Sequence, residues 1–319
     1  MRYLKGLATL VASLSTTWTT AALSVVGLGI AFAPAPAHAA RCTLSGSGTY
    51  ACSMVATTQS YKYNLGGSCT GGNTNRSVTY QVPEGTPPAG GWPVVFYYHG
   101  TNLASPPPAD GPTTFGPADP ANDAPGARHL AATLHELLDD PGNTGKKYAV
   151  VMPQAAVQLL VTRFWDTNLQ IAYNLSSDYC FFPSLWSAIE SGAYGPASQF
   201  NMDRRFAFGM SSGGYNTSRM AVSWNSDNVW KALAIHSASY ANCIGTVCNV
   251  PATLPANHPP TKFFHGTQDT VVPIATMYAY YDKLIAQGRT AAVKTNGEGH
   301  NLTADMVGPG GIKAWFDQY

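Results

Sequence analysis

From residue 77 onward the chain alternates two hydrophobic patterns. Short runs in which nearly every position is apolar, such as "PVVFYYH" (93–99), read as strands buried on both faces. Between them lie stretches with apolar residues three and four apart, such as "ARHLAATLHELLDD" (127–140), which read as helices. The pattern predicts strands over 77–82, 93–99, 147–154, 204–208, 230–237, 261–266 and 290–296. It predicts helices over 127–140, 176–192, 213–224 and 274–288, the second capped by Ser177 or Asp178, and a closing helix in "GIKAWFDQY". Strands separated by helices make a mainly parallel sheet of six to eight strands with helices on its faces, the α/β class.

The first 39 residues do not follow that alternation. Arg2 and Lys5 precede a long apolar, hydroxyl-rich run that ends in Pro34, Pro36 and Ala37-His38-Ala39, the layout of a secretory signal peptide. No basic stop-transfer flank follows, so the expectation is a signal peptide over 1–39, an extracellular protein, and no membrane association once the signal is removed. Residues 40–319 are then expected to form one domain, without linker, repeat or separate substrate-binding domain. Six cysteines, none in a C-x-x-C pair, fit an oxidising compartment. Spacing does not determine their connectivity, but proximity favours Cys42 with Cys52 and Cys243 with Cys248, leaving Cys69 for Cys180.

Charged residues make up 11% of the chain, against about 25% in an average soluble protein. Loss of Arg2 and Lys5 with the signal takes the formal net charge from +1 to −1. With no run or stripe of Lys and Arg, nucleic acid is not an expected partner. A weakly charged surface rich in Tyr, Trp and Thr suits contact with a neutral, hydrophobic material.

The chemistry concentrates in "RRFAFGMSSGGYNTSRM" (204–220). Gly209, Ser211 and Gly213 fit the G-x-S-x-G nucleophile elbow, in which a strand turns so sharply into a helix that the serine Oγ is left exposed. Ser211 is the candidate rather than Ser212, because glycine stands two places to either side of it, whereas Met210 stands two places before Ser212. The flanking predicted strand and helix supply the context that an elbow requires. A serine nucleophile needs a base and an acid to orient the base, which in α/β-hydrolases follow in the order Ser, Asp or Glu, His. His300, in "NGEGHNL" directly after the last predicted strand, is the candidate base. Asp269, in "FFHGTQDTVVP", lies past the end of the preceding strand, where open α/β sheets gather functional groups. His236 and His265 fall inside apolar strands and read as core or supporting residues. Asp227 and Asp282 read as solvated carboxylates, and Glu298 is too near His300 in sequence to reach its Nδ1. For a developing oxyanion, the backbone N–H groups of Ser212 and of Thr101, which follows His99-Gly100, are the candidate donors. No H-E-x-x-H, Cys/His cluster or phosphate-binding glycine loop occurs, so no metal or cofactor is expected.

Three stretches, "TPPAGGWPVV" (86–95), "GMSSGGYNTSRMAVS" (209–223) and "LPANHPPTKFFHGTQDTVVP" (254–273), resemble the extracellular polyhydroxyalkanoate depolymerases, above all the medium-chain-length type. The resemblance implies an α/β-hydrolase fold and a secreted serine esterase that cuts polyester through an acyl-enzyme. It also implies that polymer adsorbs on the catalytic domain's own surface. On the same ground Trp165, in "RFWDTN" (163–168), and His99 are candidate substrate-binding residues, although the pattern around Trp165 fits a core position equally well. The Pro-rich stretch 101–127 either frames a cleft or is a stiff connection. Two other readings share these residues. One is a general carboxylesterase or lipase, or a hydrolase of another aliphatic or aromatic polyester. The other is a noncatalytic secreted binding protein on the same fold, against which the complete Ser, Asp, His set speaks.

Overall fold

A computed structural model describes residues 40–46, 48–64, 67–103, 125–158, 162–168 and 172–319. The expected signal peptide and most of the Pro-rich stretch lie outside the described residues. Eight strands form the central sheet: β1 (Val55–Tyr63), β2 (Gly72–Gln81), β3 (Trp92–Tyr98), β4 (Ala149–Pro153), β5 (Phe200–Met210), β6 (Trp230–His236), β7 (Thr261–Gly266) and β8 (Ala291–Asn296). Their spatial order is β1-β2-β4-β3-β5-β6-β7-β8. Strand β2 runs antiparallel to β1 and β4, and the remaining neighbours are parallel. The helices are α1 (Pro125–Asp139), α2 (Ser177–Glu190), α3 (Ser212–Ser223), α4 (Ile274–Ala286) and α5 (Ile312–Phe316).

Period-two alternation splits β3 between two cores. Val94, Phe96 and Tyr98 share a core with Phe181, Phe182 and Leu185 of α2. Val95 and Tyr97 share the other with Leu130 and Leu134 of α1 and Trp315 and Phe316 of α5. Burial on both faces is why this strand reads as an uninterrupted apolar run. A third cluster joins Met277, Tyr280 and Leu284 of α4 to Ile235 of β6 and Phe263 of β7. Each such side chain contributes about 1.5–3 kcal/mol when fully buried.

Two local expectations need correction. Strand β1 was not predicted, because as a sheet-edge strand it is mostly polar and exposed, with only Gln59 and Tyr61 buried. The N-cap of α2 is Ser176, whose side chain accepts a hydrogen bond from the Tyr179 N–H at 3.1 Å. Asp178 is instead drawn into a buried ion pair with Arg76 at 2.6 Å, and Ser177 Oγ accepts from the same guanidinium at 2.6 Å. With Tyr61 Oη as a further acceptor, these groups satisfy a cation that would otherwise be costly to bury. The disulfides join Cys42 to Cys52, Cys69 to Cys180 and Cys243 to Cys248, the pairing that proximity favoured.

Candidate active site

Strand β5 ends at Met210 and α3 begins at Ser212, which leaves Ser211 at the bend with φ 53° and ψ −122°. For a non-glycine residue that conformation costs about 1–3 kcal/mol and persists only where the surroundings impose it. Here the Ser211 N–H donates to the His236 carbonyl at the end of β6, 3.0 Å away, and the Ser211 carbonyl accepts the first α3 bond from the Tyr215 N–H at 3.0 Å. The surrounding glycines are a packing requirement. A Cβ on Gly213 would fall 1.9 Å from the Tyr98 carbonyl oxygen, and one on Gly209 would fall 2.4 Å from the Gly213 oxygen. The start of α3 is pressed against the exit of β3, and only glycine permits it.

The loops after β7 and β8 meet in the same way. A Cβ on Gly266 would approach the Glu298 carbonyl oxygen to 2.1 Å. Backbone bonds from Thr267 N–H to the Asn296 oxygen (2.8 Å) and from Gln268 N–H to the Glu298 oxygen (3.0 Å) tie the two loops together. This registers His300 Nδ1 2.8 Å from Asp269 Oδ2. The other carboxylate oxygen accepts from the Val271 and Val272 N–H groups at 2.9 and 2.8 Å. His265 Nε2 lies 2.8 Å from the Val272 carbonyl oxygen and 3.4 Å from Asp269 Oδ2. Burial alone would raise the Asp269 pKa, but the hydrogen bonds from His265, His300 and the Val272 N–H outweigh it and hold the carboxyl well below its ordinary range. An anion at Oδ2 keeps the His300 proton on Nδ1, so Nε2 is the basic nitrogen. His265 thus supports the Asp269 carboxylate. His236 is buried, with Nε2 3.0 Å from Thr303 Oγ1, and burial pushes its pKa down to about 3.

Ser211, Ser212 and Thr101 line one cavity of about 350 Å³, whose other walls include Phe164, Tyr215, Ile244, Val271 and Val272. His99 is buried behind this loop. The Ala155 N–H donates to its Nε2 at 3.0 Å, so the ring proton is on Nδ1 and is donated to the Gly100 carbonyl at 2.6 Å. Burial lowers the His99 pKa to about 4, which keeps the ring neutral. In a trans peptide the C=O and N–H point in opposite directions, so a fixed Gly100 carbonyl also fixes the direction of the Thr101 N–H.

The expectation that Trp165 contacts substrate does not match its position. The ring is fully buried, edge-on to Tyr98 and stacked on Phe182. Its Nε1–H donates to the His99 carbonyl at 3.0 Å, and its backbone N–H donates to Ser212 Oγ at 2.9 Å. Trp165 therefore bridges the two segments that carry the candidate oxyanion donors, and the neighbouring Phe164 faces the cavity instead. Ile244, Val271 and Val272 were not anticipated in the site. They stand next to residues that were singled out, Cys243 and Asp269, but nothing in their own pattern separates a cavity wall from a loop.

A mainly parallel sheet with a strained serine at the strand-to-helix bend of a central strand puts the protein in the α/β-hydrolase class. No family model matches the chain. It is 43% identical over 254 residues to the poly(3-hydroxyoctanoate) depolymerase of Pseudomonas fluorescens, an alignment spanning 76% of this chain and 80% of that one. The chain belongs to the polyhydroxyalkanoate depolymerase family and is a carboxylic ester hydrolase. Among solved structures, a Bacillus cereus carboxylesterase aligns at 16% identity and TM-score 0.47, covering 76% of this chain and 94% of its own. The S-formylglutathione hydrolase of Staphylococcus aureus aligns at 14% identity and TM-score 0.46, covering 83% and 95%. The fold assignment rests on the sheet order and the elbow, not on these alignments.

Proposed function

We propose that this enzyme is a secreted depolymerase that hydrolyses a medium-chain polyhydroxyalkanoate, with Ser211 as nucleophile, His300 as base and Asp269 as the acid that orients it. The observation that carries the reading is a strained Ser211 lining an apolar cavity, in a chain 43% identical to a poly(3-hydroxyoctanoate) depolymerase. His300 Nε2 takes the Ser211 proton as Oγ attacks the ester carbonyl carbon, and the Thr101 and Ser212 N–H groups stabilise the tetrahedral oxyanion. The imidazolium, steadied by Asp269, returns that proton to the leaving alkoxide as the C–O bond breaks. Water, deprotonated by His300, then attacks the acyl-enzyme and releases the acid, leaving Ser211 reprotonated. Each oxyanion donor is worth about two to three powers of ten in rate.

Three disulfides support export, and the reading includes removal of residues 1–39 as a signal peptide. Among the described residues no helix is long and apolar enough to cross a membrane. A second reading, hydrolysis of small soluble esters, is favoured by one observation: a cavity of about 350 Å³ is of a size that encloses a small ligand. One experiment separates the two. The mature protein is assayed for clearing of a poly(3-hydroxyoctanoate) latex and for cleavage of a soluble octanoate ester, beside Ser211→Ala. Clearing by the wild type alone supports the depolymerase; ester cleavage without clearing moves the function to soluble esters; an active Ser211→Ala refutes the mechanism.

A further inference from the structure

The reacting atoms do not account for the aliphatic strip beside Ser211. The Cys243–Cys248 disulfide closes a loop of four residues, Ile244-Gly245-Thr246-Val247. Within it Ile244 and Val247 exchange both backbone hydrogen bonds, at 2.7 and 2.9 Å. Gly245, at φ 52°, supplies the left-handed first position of the two-residue turn. Residues opposed in this way carry their side chains on the same face, so the loop is a rigid clip presenting two aliphatic groups together. Ile244 is 47% exposed and Val247 66% exposed. The same cavity is also lined by the turn after β7, where Val271 is 57% exposed. That turn is also rigid, since the Val271 and Val272 N–H groups are held by Asp269 Oδ1.

Scattered exposed hydrophobics need no explanation, but these share one site. Ile244, Val271 and Val272 all line the cavity that contains Ser211, and none of the described residues lining it is charged. Aliphatic groups held on a disulfide-closed turn and on a hydrogen-bonded turn are suited to a flexible hydrocarbon chain, because the ordering cost falls on the ligand alone. We infer that Ile244, Val271 and Val272 form the subsite for the aliphatic chain of the acyl unit and set its preferred length. Val247, paired with Ile244 and 66% exposed, adds a second aliphatic group on the same face of the clip. This rests on the reading of Ser211 as the nucleophile.

The test is a series of p-nitrophenyl esters from acetate to dodecanoate, with the mature wild type, Ile244→Ala, Val271→Ala and Ile244→Trp. In each alanine variant the ratio of kcat/KM for octanoate to that for acetate is expected to fall by about tenfold, the scale of discrimination a hydrophobic pocket provides. Ile244→Trp is expected to move the optimum to shorter chains. Thermal melting within a few degrees of wild type confirms that the variants fold. An unchanged ratio, or equal loss on every ester, overturns the inference while leaving Ser211 as nucleophile intact. A wild type silent on all the esters overturns both. A wild type that cleaves long esters but does not clear latex, with the ratio falling as expected, supports the subsite and removes only the polymer.

Discussion

Replacing Trp165 by Phe removes one hydrogen-bond donor from the core behind the elbow and little else. The Phe ring keeps the contact with Tyr98 and the stack on Phe182, and the backbone N–H to Ser212 Oγ survives. What is lost is the 3.0 Å bond from Nε1 to the His99 carbonyl. Leaving a buried acceptor unpaired costs about 1–3 kcal/mol, and the smaller ring adds roughly 1 kcal/mol for the space it vacates. At about 2–4 °C per kcal/mol for a chain of this size, the combined loss of about 2–4 kcal/mol should lower melting by about 4–16 °C. The kinetic effect follows from connectivity. His99, Gly100 and Thr101 are consecutive, so slack at the His99 carbonyl loosens the Thr101 N–H while the Ser212 donor stays in place. Outright loss of an oxyanion donor costs about a hundredfold to a thousandfold in kcat. A loosened one should cost about tenfold to a hundredfold, with KM within about twofold because the ground state does not depend on it. The assay is steady-state hydrolysis of a soluble octanoate ester at 25 °C, together with thermal melting. Lower melting with unchanged kcat would refute the positioning argument and reduce Trp165 to packing. A raised KM with unchanged kcat would return it to the substrate-contact role that the sequence suggested.

Asp269→Asn keeps an oxygen for the Val271 and Val272 N–H groups but no longer anchors the proton of His300 Nδ1. The variant should melt within a few degrees of wild type while kcat falls by about four powers of ten, measured on the same ester. Changing both Cys69 and Cys180 to Ser opens a link between residues 111 apart, which should lower stability by about 4.7 kcal/mol on the chain-entropy account, read as a drop in the urea midpoint. Burial lowers the pKa of His99, His236 and His258 from 6.5 to about 4, 3 and 4. Between those values and 6.5 the unfolded chain binds more protons than the folded one. Stability should therefore be full above about pH 6.5 and decline toward pH 4, by about 1.4 kcal/mol per histidine per pH unit. Melting curves across that range should show the decline, and His258→Gln should flatten it.

The alternation of apolar runs and amphipathic stretches made seven of the eight central strands legible, because strands buried on both faces carry their environment in every residue. Strand β1 was not, since an exposed edge leaves most of its side chains free to be polar. In the candidate site, the elbow at Ser211 and the meeting of Asp269 with His300 were readable because glycine spacing and chain order are local signals. Trp165 shows the limit of that approach. Its neighbour Phe164 reaches the cavity and it does not, and a one-residue difference in facing is set by packing on Phe182, a residue remote in sequence. The N-cap of α2 failed for a related reason: Asp178 has the right chemistry for a cap, but Arg76, 102 residues away, claims its carboxylate.

The two groups of residues that frame the proposed chemistry are held in different ways. At the turn after β7, the backbone N–H groups of Val271 and Val272 hold Asp269 while the same two residues line the cavity. Any side chain at those positions leaves the donors in place, proline excepted, so acyl preference can change without disturbing the charge on the acid. By contrast, His99, Trp165 and Ser212 are joined through a single run of hydrogen bonds, and the groups that would position the proposed oxyanion donors are the same groups that hold the core. A change there reaches stability and rate together. On the proposed mechanism, substitutions at the Asp269 turn and the disulfide clip should change substrate preference with little loss of rate, and substitutions among His99, Trp165 and Ser212 should lower the rate constant.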